Sequence, residues 1–209
     1  GALQQDPLYA MAKAFKDNWQ KYSQNLAVFN NRNAELGHLY LKAYREMYPN
    51  KVMYPDANFS MRVSYGKVSD YKPRDGVKYD YVTTASGILE KYIPGDYEFD
   101  VPKKLQTLIN NKDYGIYGEN GKMPLAFIGS NHTTGGNSGS PAIDAHGNLI
   151  GLNFDRVWEG TMSDINYDPS ICRNIMVDAR YILFIIDKFA GAPWIVQEMK
   201  LVYPKKRKK

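Results

Sequence analysis

Thr134-Gly135-Gly136-Asn137-Ser138-Gly139-Ser140-Pro141 is the stretch around which the fold can be read. One serine stands between glycines, in a segment too glycine-rich for a helix or a central strand. Glycines let the backbone turn sharply and let a carbonyl approach bare N–H groups. Acyl transfer asks for that arrangement: an exposed hydroxyl, with backbone donors aimed at the oxyanion it creates. A Gly/Ser-rich stretch also serves as a plain connector, so the flanks decide. Pro124 to Ile128 reads as a short apolar strand leading in. Pro141-Ala142-Ile143, a turn at Asp144-Ala145-His146-Gly147 and a strand from Asn148 to Asp155 read as a β-hairpin leading out. Pro141 and the strand behind it exclude a strand–serine–helix elbow. No lysine follows the glycines, which excludes a phosphate loop.

Further out, residues 160–173 are loop-like, and Asn174 to Phe189 holds a strand or helix start and then a helix, punctuated by Gly191 and Pro193. Upstream, Gly87 to Tyr92 and Pro102 to Asn110 read as short helices. Phe59, Met61, Val63 and Tyr65 alternate with polar residues, as do Val77, Tyr79 and Tyr81, which predicts strands; the polar segment from Lys67 to Gly76, with Pro73, predicts a loop between them. Residues 7–48 carry a different period. Leu8, Ala12, Phe15, Trp19, Tyr22, Leu26 and Phe29 alternate spacings of four and three, and the register continues through Asn33 to Leu36, Tyr40, Ala43 and Met47. This heptad-like stripe predicts a helix that packs on at least one other. A hairpin turn at Asn30-Asn31-Arg32-Asn33 is the alternative to a single rod of roughly 60 Å. The chain is therefore α+β: a helical segment over 1–54, a β-rich domain over 55–200 and a basic tail over 201–209.

The net charge of +5 does not point to nucleic acid. Lys205, Lys206, Arg207, Lys208 and Lys209 end the chain, and the remaining basic residues equal the 22 acidic ones in number. Hydrophobic content of 44% is ordinary for a globular protein. No apolar run approaches the length of a membrane span. Cys172 is the only cysteine, so no internal disulfide forms. No metal or cofactor motif appears. The opening Gly-Ala-Leu-Gln-Gln lacks an initiator Met and a leader pattern, and reads as a piece of something longer.

The ordered run Thr134 to Asp144, then Gly147-Asn-Leu-Ile-Gly-Leu-Asn-Phe-Asp-Arg-Val-Trp-Glu-Gly, Asp164-Ile and Cys172-Arg-Asn-Ile-Met-Val-Asp-Ala-Arg-Tyr-Ile-Leu-Phe resembles the carboxy-terminal end of the bacterial dipeptidyl-peptidase 7 and 11 family. The resemblance is close over about residues 124–200, and looser for residues 1–50 against the family's helical cap. It implies a chymotrypsin-clan serine exopeptidase, of which this chain holds the end of the helical cap domain and the second β-barrel of a double-barrel peptidase. It implies Ser138 as nucleophile, with the N–H groups of Gly136 and Ser138 as oxyanion hole, and Asp155 as a holder of the substrate's free amino group. In the family, glycine at the position of Arg156 accompanies cleavage after hydrophobic residues, and arginine accompanies cleavage after Asp or Glu. A guanidinium grips a carboxylate bidentately, which gives that difference a physical cause. Strict alternation would put Asp155 and Arg156 on opposite faces, so a shared pocket requires a bulge or a strand end there.

A serine hydroxyl needs a base, and the base an orienting carboxylate. The three histidines are His38 on the helical arm, His146 in a hairpin turn and His132, which matches no triad position of the family. In the family the His and Asp come from a first barrel, which this chain does not contain. The expectation is a fragment without activity of its own, acting within a homodimeric enzyme of the periplasm or cell surface of Gram-negative bacteria, on peptides with a free amino terminus. Two alternatives are a dipeptidyl-peptidase of hydrophobic preference, which Arg156 opposes, and a non-catalytic interaction module, which the intact serine loop opposes.

Overall fold

The computed structural model describes residues 2–51, 53 and 60–203. Phe59 and the end of the basic tail lie outside them. The chain divides into two compact units, residues 1–55 and 56–209.

The first unit is one short 3-10 turn, Ala2–Gln5, and one helix, α1 (Pro7–Met47). Asp6 caps α1, accepting from Leu8 N at 2.8 Å, and Pro7 occupies the first turn, where a missing N–H costs nothing. Asn30 to Asn33 lie inside the helix, so the rod is realised and the hairpin is not. Ion pairs one turn apart, Lys13–Asp17 and Arg32–Glu35, lace its surface. The helix buries none of its residues, and Phe15 and Trp19 are about 70% and 69% exposed. The apolar stripe predicted from the sequence is present, but among the described residues of this unit no second helix covers it.

The second unit is α+β. A hairpin pairs β1 (Tyr71–Arg74) with β2 (Val77–Tyr79). A five-stranded antiparallel sheet runs in the order β3 (Val82–Thr84), β4 (Pro124–Gly129), β7 (Asn174–Asp178), β6 (Leu149–Arg156) and β5 (Pro141–Ile143). The sheet is open, with β3 and β5 at its ends. Helices α2 (Ser86–Glu90) and α3 (Lys103–Asn110) lie between β3 and β4. After β7 come α4 (Ala179–Phe184), a π-helical turn over Ile185–Phe189 and α5 (Pro193–Gln197). Asp178 is the hinge between sheet and helix: its buried carboxylate caps α4 through Arg180 N and grips the Arg180 guanidinium, Oδ2 to Nη2 at 2.7 Å.

The core lies between the helices and one end of the sheet. Ala85, Val101, Leu105, Ile109, Tyr114, Tyr117, Met123 and Phe184 form it, with Phe184 and Met123 fully enclosed. Across the sheet, Gly151 is placed where only glycine fits. A Cβ there would be driven into Val177 O and would sit 2.8 Å from Phe127 Cε1.

Two segments differ from the sequence reading. Residues 71–74 pair as a strand although Lys67 to Gly76 reads as a loop. Asp75-Gly76, with Gly76 at φ 72°, makes the tight turn of a two-stranded ribbon. Residues 61–65 alternate like a strand yet form none: Met61, Val63 and Tyr65 are 93%, 79% and 89% exposed. The segment is tied instead by Ser64 Oγ to His132 O, and by Asn131 Nδ2 to Ser64 O.

Candidate active site

The serine loop is two linked turns. Asn137 N donates to Thr134 O at 3.2 Å, closing the first with Gly136 at φ 95°. Ser140 N donates to Asn137 O at 3.0 Å, closing the second with Gly139 at φ 79°. Each glycine stands at the third position of its turn, where positive φ is required. Ser138 is exposed at the second position of the second turn. Asn137 braces the first turn by accepting from Thr134 N at 3.0 Å, and Arg62 reaches Thr134 Oγ1 at 3.1 Å.

Asn137 N–H is consumed by its turn, while among the described residues the N–H groups of Gly136 and Ser138 donate to no other group. Two vacant donors therefore flank one engaged donor beside an exposed hydroxyl. Among the described residues no side chain hydrogen-bonds Ser138 Oγ. His146 is exposed in the β5–β6 turn, where Asp144 organises the backbone by accepting from His146 N and Asn148 N. Those bonds, the Asn148 ones foremost, hold the Asp144 carboxyl below the usual range. His132 stacks on Tyr167, centroids 4.6 Å apart, with Nε2 3.0 Å from Ser163 O. His38 is exposed on α1.

Strand β6 carries the other two predicted residues. Its register against β7 slips between Asn153 and Asp155: Asn153 pairs with Met176, Asp155 with Ile175 and Arg156 with Asn174. One extra residue on β6 is a β-bulge, but it precedes both Asp155 and Arg156, so the two still take opposite faces and the shared-face arrangement the sequence reading asked of a bulge is not made by it. It brings Arg156 onto the face of Asn153 and Asn174, while Asp155 pairs with Ile175 on the alternate face. Asp155 is exposed, and its Oδ1 accepts from Arg156 N at 2.8 Å. Arg156 is about 21% exposed at its side chain. Nη1 donates to the buried Ser163 Oγ at 2.6 Å, and Nη2 lies 3.2 Å from both oxygens of Asp164. The guanidinium is thus already set to hold a carboxylate.

Sequence reading missed the groups underneath. Asn153 and Asn174 are 7% and 3% exposed and bonded to each other, Nδ2 of Asn174 to Oδ1 of Asn153 at 2.8 Å. Arg173 is buried with its donors on the carbonyls of Ser69, Asp70, Pro169 and Cys172, which ties the β1 approach to the loop before β7. Ser163 and Tyr167 close the loop over residues 160–173, the Tyr167 hydroxyl donating to Ser130 O at 2.5 Å. Among the described residues no three His, Cys, Asp or Glu side chains gather to hold a metal, and no helix is long and apolar enough to cross a membrane.

A glycine-bracketed serine with vacant N–H donors, on an antiparallel sheet, is a site suited to acyl transfer. The chain belongs to the Peptidase S46 family, whose profile matches residues 2–201. It is 64% identical over 206 residues to the Asp/Glu-specific dipeptidyl-peptidase of Flavobacterium psychrophilum, covering 97% of this chain and 28% of that protein. It is 43% identical over 202 residues to dipeptidyl-peptidase 7 of Porphyromonas gingivalis, covering 96% of this chain and 28% of that protein. Among solved structures, Porphyromonas endodontalis DPP11 in complex with the dipeptide Arg-Asp superposes with a TM-score of 0.87 at 42% identity, over 94% of this chain and 28% of that one. The same protein with Arg-Glu gives 0.86 over 92% and 28%. The chain thus spans little more than a quarter of the length of these relatives.

Proposed function

We propose that this chain is the serine-bearing part of a dipeptidyl-peptidase that releases amino-terminal dipeptides ending in Asp or Glu. The observation that carries the reading is the pair of vacant N–H donors at Gly136 and Ser138 beside the exposed Ser138 hydroxyl. Ser138 attacks the scissile carbonyl, and the two N–H groups receive the oxyanion, where each donor is worth about 10²–10³ in rate. The base and its carboxylate come from the part of the relatives' length that this chain does not span, in a first barrel of a chymotrypsin-like pair. The chain alone therefore has a nucleophile without an activator.

Arg156 reads the acidic side chain. Its present grip on Asp164 and Ser163 supports this, because the same fork suits a substrate carboxylate. Each charged hydrogen bond contributes about 1.5–3 kcal/mol, and an apolar side chain would leave the guanidinium poorly matched. Asp155, exposed with only one oxygen engaged by Arg156 N, is available to the substrate's amino terminus. The names of the relatives support the acidic preference over the hydrophobic one. The homodimer and the periplasmic or cell-surface location belong to the same proposal and rest on family resemblance.

The test uses a polypeptide of the relatives' full length that carries this sequence. Ser138→Ala is expected to abolish dipeptide release and fluorophosphonate labelling. Arg156→Gly is expected to exchange acidic for hydrophobic preference. Retained release in the first variant, or unchanged acidic preference in the second, overturns the corresponding half of the reading.

A further inference from the structure

The two N–H groups that serve Ser138 do not aim themselves. A peptide unit is planar and trans, so an N–H points away from the carbonyl of the preceding residue. The direction of Ser138 N–H is therefore set by whatever holds Asn137 O. Two donors hold it: Ser140 N at 3.0 Å, from within the turn, and Asn153 Nδ2 at 3.2 Å, from the sheet below. The Asn153 backbone clasps the loop as well. Its N–H donates to Ser140 O at 2.9 Å and its carbonyl accepts from Gly139 N at 2.7 Å.

The order of the amides is forced. Asn137 O can only accept, so Asn153 must present its NH₂ there and its oxygen to Asn174. Asn174 must then donate, as it does at 2.8 Å, which leaves its own Oδ1 buried without a partner among the described residues. An unsatisfied buried acceptor is costly, and it is tolerated here at the far end of a chain that runs Asn174 to Asn153 to Asn137 to Ser138. By contrast, among the described residues Gly135 O, which sets Gly136 N–H, is held only by Thr134 Oγ1 at 3.4 Å.

We infer that Asn153, oriented by Asn174, is the positioning residue that fixes the Ser138 N–H toward the oxyanion; this rests on the reading of Ser138 as nucleophile. Losing that brace lets the Asn137–Ser138 peptide unit rotate and put a carbonyl where the oxyanion forms. The effect falls on the transition state and not on substrate binding, so it separates kcat from KM.

The experiment again uses a full-length polypeptide carrying this sequence. Asn153→Asp keeps the shape and the acceptor for Asn174 but sets an oxygen against Asn137 O. It is expected to lower kcat about 100-fold with KM changed less than about threefold, and to slow fluorophosphonate labelling in parallel. Asn174→Ala removes the orienting donor together with its unpartnered Oδ1 and is expected to lower kcat about tenfold, again at near-constant KM. Circular dichroism identifies folded variants, and either one that folds decides the matter. A folded variant with kcat within threefold of the parent, or one that loses activity through KM alone, overturns the inference. If Ser138→Ala abolishes release in the same series, only the inference falls; if Ser138→Ala stays active, the nucleophile reading falls and takes the inference with it.

Discussion

Helix α1 runs for 41 residues without burying one of them, whereas the second unit closes a core around Phe184 with short elements. The two regions are built on different resources. In α1 the helix comes from local terms: a capped start, Pro7 in the first turn, ion pairs one turn apart and a series of ring contacts from Tyr40 through Tyr44 to Tyr48. Among the described residues of the second unit no element is longer than eight residues. Stability there comes from burial between pieces distant in sequence, such as Ala85, Tyr114 and Phe184. An apolar stripe makes a helix amphipathic, but it contributes burial energy only when something covers it.

The largest effect that would sharpen this contrast is Phe184→Ala. Phe184 is fully enclosed, and its removal is expected to cost about 3–5 kcal/mol in urea unfolding. A loss under about 1 kcal/mol would mean the core is not where the second unit draws its stability. Next comes Gly151→Ala. Its methyl would be forced on Val177 O and the Phe127 ring, and the expected cost is about 1–3 kcal/mol in the same measurement.

A third effect is confined to alkaline pH. Tyr117 is buried with its hydroxyl 2.9 Å from Asp187 Oδ2. Burial first, and then Asp187, push its phenol up to about 12. The folded value lies above the unfolded one near 10, so the contribution is full below about pH 10 and is lost as pH rises through about 12. Stability measured across that window is expected to fall, and to fall less in Tyr117→Phe. The smallest effect is Trp19→Ala on α1, expected to change the stability of this chain by less than about 0.5 kcal/mol despite removing a large apolar side chain. A loss of several kcal/mol would break the comparison, because it would show that the stripe is covered.

The parts of the fold legible in the sequence are those set by local chemistry. Helix α3, strand β4 and the β5–β6 hairpin follow from punctuation and period, and each lies within a residue or two of its predicted bounds. Strand β1 was hidden by Pro73, which an exposed two-stranded ribbon tolerates; the Asp75-Gly76 pair was the signal for it. Residues 61–65 mislead in the other direction, since alternation without burial does not make a strand. The serine loop was legible because its turns are specified by glycines within one octapeptide. Asn153 and Asn174 were not, because their roles depend on two amides 21 residues apart meeting beneath that loop. The faces taken by Asp155 and Arg156 were undecidable from alternation alone, since one extra residue changes them.

That extra residue makes the placement of Arg156 a matter of counting and not of identity. Excising Phe154, a loss of three nucleotides, would close the bulge and leave Asp155 opposite Ile175 and Arg156 opposite Asn174, whereas closing it with Phe154 retained would set Asp155 opposite Asn174 and turn the guanidinium to the side of the sheet that carries Ile175 and Val177. In that second case every side chain would be unaltered, yet the arginine would no longer stand beside Asn174. The bulge, and not the identity of the residue, therefore holds the guanidinium on its side of the sheet.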